Sequence, residues 1–576
     1  MARLKPTASL WTVAGLMVLS LCAGTASAAT EGTAGTPEVP ASALGAYLAA
    51  RHAQDERDYP RASEFMDRAL AQDPGNSDLL RRDFTLRLGS GRIADALPLA
   101  VHIADLDRSS SLAQLVLLLQ DVKAGKYADA LQRARSLPQE GAERFVAPVL
   151  IAWCEVGAGQ PDDALQDLAN TPPAASLGEL DQLHRALIAD QTDRIDMAAE
   201  LYDEVTADPA HVAWRTLEIA GNFFERHQRG PAARRLYDRL ADNEEGSATI
   251  ASALQRLEAG TIPPRIVTSP RDGVAEALFD LATALNRRET LDASLIYVRL
   301  ALDLRPDFPI AQLLLAEIDE EQQHRNAALA LYEAIDPQSS LARSARLRAA
   351  GMLDQLNRTD EAVSLLKQLA SEHPADAEPV IELGDLYRGH DRYAEAIPAY
   401  DSALARTPHI EQRDWRLFYS RGVALERSGL WPRAEADLRR ALELQPEQPM
   451  VLNYLGYSWI DQGVHLDEAL KMVQRAVALR PDDGYIIDSL GWAYYRLGDF
   501  AKATENIEKA IELVPEDPTV NDHLGDAYWQ TGRRMEARFQ WRRALQFKPE
   551  ADEEKTIQAK LVHGLDKAAL TETKGG

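Results

Sequence analysis

Large aromatic side chains concentrate near the carboxyl-terminal end of this 576-residue chain. Six of the nine tryptophans lie between Trp415 and Trp541. Tryptophan and tyrosine anchor many protein interfaces, and neighbouring carboxylates and amides add hydrogen-bond selectivity. The chemistry that this composition favours is recognition of a protein or peptide.

Residue patterns that perform catalysis or bind a metal are absent from the sequence. The twelve histidines are dispersed, with no pair at the i,i+4 spacing of a zinc helix, and there are only two cysteines, Cys22 and Cys154. The sequence contains no Gly-x-Ser-x-Gly elbow, no Gly-x-x-x-x-Gly-Lys phosphate loop and no glycine-rich dinucleotide turn. We therefore predict no enzymatic activity, no catalytic residue, no metal and no cofactor.

The charge balance argues against nucleic acid as a partner. Lysine and arginine number 63 against 89 aspartates and glutamates, a net charge of -26. Phosphate backbones require clustered cations, which this balance does not supply. An acidic surface favours solubility or a partner with basic patches.

Small residues recur at a strict interval of 34 and point to the elements that position these side chains. A period of 34 predicts stacked helix-turn-helix units, in which a small residue lets two helices cross closely. Glycines and prolines that end the helices fall in the same phase. The first run of spaced positions is Ala62, Ala96, Ala130, Ala164, Ala198 and Ala232, and a second run, which begins 62 residues later, is Ser294, Ala328, Ala362 and Ala396.

Residues 484–550 resemble two consecutive units of the tetratricopeptide repeat (TPR) family. The matching residues are Leu490, Gly491, Tyr494, Gly498, Ala503, Ala510 and Pro515, then Leu524, Gly525, Tyr528, Gly532, Ala537, Ala544 and Pro549. We accordingly predict an all-α TPR solenoid of about fourteen helix-turn-helix repeats in two superhelical arrays.

The repeat phase also predicts the domain organisation. The first array covers residues 43–246 and the second covers 275–550. Between them, residues 247–274 combine one helix with a proline-rich joint, non-helical from Thr261 to Gly273, which is either a hinge or an inert linker. Residues 29–42 are expected to be a disordered linker, and residues 551–576 a capping helix followed by a disordered tail.

The first 28 residues have the pattern of a cleaved export signal. Arg3 and Lys5 precede a short apolar run, and Ala26-Ser27-Ala28 forms a small-residue cleavage site. We expect a periplasmic protein with no transmembrane span in its mature chain, because the apolar run is too short to cross a bilayer. The alternative is an outer-membrane lipoprotein through Cys22, although Leu21 departs from the small residue normal before a lipidated cysteine. After cleavage only Cys154 would remain, as a buried small hydrophobe.

The TPR resemblance implies which side chains line a binding groove. In such repeats the second, fifth, ninth and twelfth residues of each first helix face inward. The partner-binding residues that this phase implies are Asn453, Tyr457, Tyr485, Asp488, Trp492, Tyr495, Asp522, Asp526 and Trp529. The alternative is that the aromatic members only pack against neighbouring repeats.

The charge of these positions bears on the partner. Asp488 and Asp522 stand where chaperone-tail clamps carry lysine or asparagine, which disfavours an acidic peptide end and favours basic or apolar segments. A contrary feature is the arginine stripe of Arg534, Arg538 and Arg542. It is either a solvated outer face or a site for an acidic partner or lipid headgroup.

Residues 452–457, 488–492 and 521–529 resemble exported TPR proteins of Gram-negative bacteria. These include lipoproteins that act as adaptors between a carboxyl-terminal processing protease and cell-wall hydrolases. The resemblance implies a protein-protein scaffold or adaptor of the cell envelope, whose arrays hold separate partners such as an envelope protease or a cell-wall hydrolase. A TPR component of a polysaccharide or protein export machine, and a regulatory subunit that activates an enzyme, remain as alternatives.

Overall fold

The structure, a computed structural model, describes residues 42–138, 141–171, 179–207, 212–241 and 247–565. The signal peptide, the linker up to residue 41, Cys22 and the tail from residue 566 lie outside these residues, and the expectations for them stay predictions. Within the described ranges, no helix has the length and apolar character that a bilayer span requires.

The described residues form thirty α-helices. Their bounds are α1 Ala43–Asp55, α2 Tyr59–Gln72, α3 Ser77–Gly89, α4 Ile93–Leu106, α5 Ser111–Lys123, α6 Tyr127–Arg135, α7 Glu143–Gly157, α8 Pro161–Ala169, α9 Glu179–Gln191, α10 Ile195–Val205, α11 Trp214–Arg226, α12 Gly230–Ala241, α13 Ser247–Ala259, α14 Pro270–Ala284, α15 Leu291–Leu304, α16 Pro309–Glu321, α17 Arg325–Ala334, α18 Ala342–Gln355, α19 Thr359–Glu372, α20 Glu378–Gly389, α21 Tyr393–Arg406, α22 Trp415–Arg427, α23 Trp431–Leu444, α24 Pro449–Gln462, α25 Leu466–Leu479, α26 Gly484–Arg496, α27 Phe500–Leu513, α28 Pro518–Gln530, α29 Arg534–Gln546 and α30 Ala551–His563.

Consecutive helices pair as hairpins, and α13 and α30 stand outside that pairing. This arrangement confirms the predicted all-α solenoid of helix-turn-helix repeats. The ten alanine and serine positions of the two 34-residue runs show why the two helices of a hairpin can pack closely. Nine of them have no exposed surface, and the other, Ala232, is half-buried.

The hairpin of α26 and α27 shows how sequence sets the close crossing. A Cβ added to Gly491 would overlap Ile507 on the facing helix, so only glycine allows this approach. Gly498 follows α26 with a φ of +82°, a left-handed conformation that glycine adopts without steric cost. Asp499 then caps α27 by accepting a hydrogen bond from the Lys502 backbone N–H at 3.2 Å.

The chain divides into two compact units, with the boundary between Leu365 and Leu366. The sequence placed the junction at residues 247–274, which lie inside the first unit. Helices α14 and α15 account for the difference, because they pack against the first helices of earlier hairpins: α14 against α7 and α9, and α15 against α3 and α5.

The proline-rich stretch between α13 and α14 is attached to the first unit by hydrogen bonds. The Asn222 side-chain amide donates to the Pro264 carbonyl at 3.0 Å, and the Arg265 guanidinium donates to the Gln191 carbonyl at 3.2 Å. The expectation that residues up to Gly273 are non-helical is wrong. Helix α14 begins at Pro270, since proline fits the first position of a helix, where no backbone donor is needed.

A candidate binding groove in the second unit

The first helices of the last three hairpins, α24, α26 and α28, lie beside one another, with α30 following as a single helix. Contacts between side chains 34 or 35 residues apart show that equivalent positions of neighbouring helices, or positions one residue beyond, meet. The Asp488 carboxylate lies 2.9 Å from His523 Nδ1, and Lys560 Nζ lies 2.9 Å from Asp526 Oδ2. We call these side chains and those at the same repeat phase the groove face. Its members are Asn453, Tyr457, Tyr485, Asp488, Trp492, Tyr495, Asp522, His523, Asp526, Trp529, Glu553 and Lys560.

Three aromatic rings form a stack on this face. The Trp492 ring is nearly parallel to Tyr495, with ring centres 4.6 Å apart, and to His523, with centres 4.0 Å apart. Each of its two neighbours takes up contact area on the Trp492 ring. Trp492 therefore serves the packing of α26 against α28.

His523 and Asp488 form a buried pair across α28 and α26. Burial of the imidazole favours its neutral form, but Asp488 outweighs burial through its charge and hydrogen bond. Asp522 and Asp526 add to that effect, so the pKa of His523 lies above its ordinary value. The pair therefore favours a protonated His523 that donates to the Asp488 carboxylate.

Lys560 of α30 reaches back to two aspartates of α28. Its ammonium donates to Asp522 Oδ2 at 2.6 Å and to Asp526 Oδ2 at 2.9 Å. Asp526 Oδ1 accepts a further bond from Trp541 Nε1 at 3.0 Å. Burial raises the pKa of Asp526 to about 6, with Asp522 adding to the rise and Lys560 opposing it. Burial alone would lower the pKa of Lys560, but the two aspartates raise it.

The other implied groove residues differ in exposure. Tyr485 is 51% exposed, whereas Tyr457 and Asn453 are half-buried on α24. Burial raises the pKa of the Tyr457 hydroxyl, and the charges of Asp488, Asp461 and Glu553 add to the rise. Burial likewise raises the pKa of Tyr495 to about 12.

Several buried polar atoms of the groove face have no hydrogen-bond partner among the described residues. They are Asn453 Oδ1, Asp488 Oδ1, Asp522 Oδ1 and Trp492 Nε1. Three of the four are acceptors. An unpaired buried carboxylate oxygen is costly, so this face has a surplus of acceptor capacity that a donor group would relieve. Among residues described here, no group of histidines, cysteines and carboxylates is arranged to hold a metal ion.

Trp529 is placed differently from Trp492. Its ring packs against Trp541 with centres 5.4 Å apart, and the Arg534 guanidinium lies over it at 5.0 Å. A Cβ on Gly564, just after α30, would overlap the Trp529 ring. The structure thus places Trp529 against the end of the solenoid, while Asp488 and Trp492 both contact His523. Whether either tryptophan anchors a partner stays a prediction.

Sequence reasoning missed three residues of this face. Lys560 and Glu553 lie on α30, for which the sequence predicts only a role in capping an apolar surface. The signal was present, since Lys560 is 34 residues after Asp526 and Glu553 is 34 after Thr519, whose hydroxyl lies 3.4 Å from it. His523 stands one position beyond the expected inward residue Asp522, and no periodic signal marks it.

The corresponding face of the first unit is occupied by the chain itself. Trp153 Nε1 of α7 donates to His184 Nδ1 at 2.8 Å, and His184 Nε2 in turn donates to Asp280 of α14 at 3.1 Å. A Cβ on Gly273 would overlap the Trp153 ring, so glycine is needed for α14 to lie this close. The docked helices therefore leave this face without the access that an outside peptide would require.

Charged and hydroxyl groups complete the same contact. Arg215 of α11 forms two hydrogen bonds with Glu276 of α14, at 2.8 and 2.9 Å. Tyr297 of α15 donates to Glu143 of α7 at 2.7 Å. Such paired buried groups fix the position of α14 and α15.

Comparisons with known proteins identify the repeats of the second half. Models of the tetratricopeptide repeat match residues 344–376, 381–449 and 419–484, and a model of the TPR repeat matches residues 491–532. This part of the chain is therefore built from tetratricopeptide repeats, whose general role is protein-protein interaction.

Curated relatives resemble only part of the chain. The TPR repeat-containing protein PA4667 of Pseudomonas aeruginosa is 31% identical over 194 residues, which is 34% of this chain and 32% of that protein. The human protein O-mannosyl-transferase TMTC1 is 26% identical over 28% of this chain and 18% of its own length. The chain thus spans about a third or less of the length of these relatives.

Solved structures give a weaker likeness. The APC/C hetero-tetramer Cut9-Hcn1 is 16% identical and covers 90% of this chain and 96% of its own, with a TM-score of 0.38. A tetratricopeptide repeat protein from Parabacteroides merdae is 15% identical and covers 43% and 96%, with a TM-score of 0.36.

Proposed function

Because the second half of the chain is built from tetratricopeptide repeats, we propose that this chain is a non-catalytic protein-protein interaction scaffold. Its groove face on α24, α26, α28 and α30 binds a peptide segment of a partner. The unpaired buried acceptors, such as Asp488 Oδ1 and Asp522 Oδ1, lie beside the exposed Tyr485 and support this proposal. A partner that donates hydrogen bonds to these acceptors would stabilise the complex.

The charge of the groove face selects the kind of segment. Asp488, Asp522, Asp526 and Glu553 contribute four carboxylates, whereas Lys560 and a protonated His523 contribute two cations. The surplus of negative charge favours a basic or apolar segment and opposes an acidic one. The exposed ring of Tyr485 supplies apolar contact area at the edge of the face.

The location and the partner are further parts of the proposal. The amino-terminal pattern of Arg3, Lys5 and Ala26-Ser27-Ala28 supports export to the periplasm by a cleaved signal peptide. The resemblance to exported adaptor proteins supports a role in recruiting an envelope protease to cell-wall enzymes. Sequencing the amino terminus of the envelope form tests the location: Ala29 is expected, and an acylated Cys22 would replace the periplasmic form with the lipoprotein.

Affinity purification from a Gram-negative envelope extract tests the scaffold role. The full mature chain is immobilised beside a Tyr485→Ala/Asp488→Asn variant, and bound proteins are identified by mass spectrometry. We expect proteins that the wild type retains and the variant loses at least tenfold. Asp467→Asn is the matched control, since it removes one exposed carboxylate from α25, outside the groove face. Equal recovery on all three proteins would remove the groove face from the proposal.

A further inference from the structure

The outer face of α29 differs from the same face one and two repeats earlier. Met535 is 85% exposed and Phe539 is 58% exposed, although both side chains are apolar. The positions 34 and 68 residues before them are exposed too, but carry small or charged side chains. These are Ala501 and Glu505 on α27, and Asp467 and Lys471 on α25.

Arginines flank the two apolar side chains. Helix α29 contains four arginines and a single glutamate, in a chain whose net charge is -26. Arg534 and Arg538 lie over the Trp529 ring at 5.0 and 6.0 Å. Among the residues that the structure describes, no carboxylate forms an ion pair with Arg534, Arg538 or Arg542. At the position of Arg542 the previous repeat carries Glu508, so the local charge is reversed.

These side chains share one surface of the helix. Met535, Arg538, Phe539 and Arg542 are spaced i, i+3, i+4 and i+7, which places them along one stripe. We define the α29 patch as these four residues with Arg534. It combines exposed apolar area with guanidinium groups that have no carboxylate partner in the described part of the chain. Contact of the apolar area with water is unfavourable.

We propose that the α29 patch binds an acidic segment of a partner protein that also carries apolar side chains. Met535 and Phe539 contact the apolar side chains, and the guanidinium groups pair with the carboxylates. Arginine suits this task because its planar fork donates two parallel hydrogen bonds to one carboxylate. Trp529 holds Arg534 and Arg538 near the patch before the partner arrives, which lowers the entropy lost on binding.

A protein partner fits the patch better than an anionic membrane. The patch is one helix face with two apolar side chains, a small footprint for insertion into a bilayer. The net charge of the whole chain repels an anionic surface, whereas a short acidic segment contacts only the local cluster of positive charge. The groove face has the opposite charge preference, so the patch is a separate site.

Selection from a random peptide library tests the proposal. Twelve-residue peptides displayed on phage are selected in parallel on the full mature chain and on an Arg538→Gln/Phe539→Ala/Arg542→Gln variant of it. We expect a class of peptides rich in Asp, Glu, Leu and Phe that the wild type enriches and the variant loses at least tenfold. Circular dichroism confirms that the variant keeps its helices, as expected for three exposed side chains.

The two preceding repeats supply the matched control. Lys471→Gln/Lys502→Gln removes two positive charges from exposed positions of α25 and α27, and it should enrich the same acidic peptides as the wild type. If no acidic class appears, or if the triple variant enriches it equally, the proposal is wrong. Sedimentation with phosphatidylserine vesicles that depends on the same three residues would assign the patch to lipid instead.

Discussion

The two units bear equivalent helix faces that are used in different ways. In the first unit, α14 and α15 lie on α3, α5, α7 and α9, and ion pairs such as that of Glu276 on α14 with Arg215 on α11 hold them there. In the second unit, the face of α24, α26 and α28 keeps acceptors such as Asp488 Oδ1 without a partner in the described chain. Helices of the same chain cover the first face, whereas we propose that a partner protein covers the second.

The largest effect is expected from removing the cation that closes the second face. Lys560→Ala leaves the buried Asp526 and the half-buried Asp522 without their cation and should destabilise the second unit by about 3 to 5 kcal/mol, the range for a broken buried ion pair. Urea unfolding followed by hydrogen exchange measures the loss in residues 449–563. Lys555→Ala on the same helix is the control, because that side chain is exposed; equal destabilisation by both would refute the role given to Lys560.

A strong effect is also expected where the chain occupies its own face. Gly273→Ala forces the added methyl group into the Trp153 ring and should cost about 3 kcal/mol, at the upper end for overpacking. Gly351→Ala in α18 is the matched control, since nothing lies within 4 Å of its added Cβ and alanine favours helix. Thermal unfolding compares the two, and a Gly273→Ala protein as stable as Gly351→Ala would show that α14 is not held tightly.

The binding role of the two tryptophans gives an intermediate effect. If they are hot spots, Trp492→Ala and Trp529→Ala should each weaken binding of a purified partner by roughly 2 kcal/mol or more, while Trp431→Ala on α23 should not. Titration calorimetry on variants with native helicity measures this. Loss with Trp492→Ala alone would agree with the position of Trp529 at the end of the solenoid, and equal affinity for all three would move the site elsewhere.

The smallest effect is a pH dependence confined to the second face. Because the pKa of His523 is raised, its stabilising contribution is fully present below the ordinary histidine pKa and is lost as pH rises through the raised value. Asp488, Asp517, Asp522, Asp526 and Glu553 surround it, and Lys560 opposes them.

His523→Gln isolates this contribution, since glutamine keeps a hydrogen-bond donor but cannot titrate. Urea midpoints measured from pH 5 to 8 should fall more steeply for the wild type than for the variant. The raised pKa of Asp526, about 6, adds a loss of stability in the same direction that both proteins share. Parallel pH profiles would exclude His523 as the cause.

The hairpins could be predicted from sequence because their cause is local. A residue such as Ala503 or Gly491 is small because two helices cross there, and that steric demand repeats every 34 residues. The docking of α14 could not be predicted in this way. Its burial depends on α7, α9 and α11, which lie at least 40 residues earlier in the chain, and residues 272–279 of α14, all buried, read as another repeat helix.

The binding role of the candidate site stays a prediction, and the contacts among its side chains could not be predicted from the sequence. The repeat phase indicated Asp488, Trp492 and Asp526, and the structure brings these onto one face. It could not indicate that His523 covers Trp492 or that Lys560 neutralises Asp526, because both depend on side-chain conformations between neighbouring repeats. Tyr495 and His523 already contact the Trp492 ring, which reduces the ring area that a partner could contact.

The position of Cys154 has a consequence for how the first unit can be observed. Its thiol is fully buried in α7, and burial raises its pKa to about 12, so the reactive thiolate is suppressed at neutral pH. A thiol protected in this way resists oxidation and intermolecular crosslinking while the unit stays closed. Its rate of reaction with an alkylating reagent therefore measures how often α7 separates from the helices packed on it.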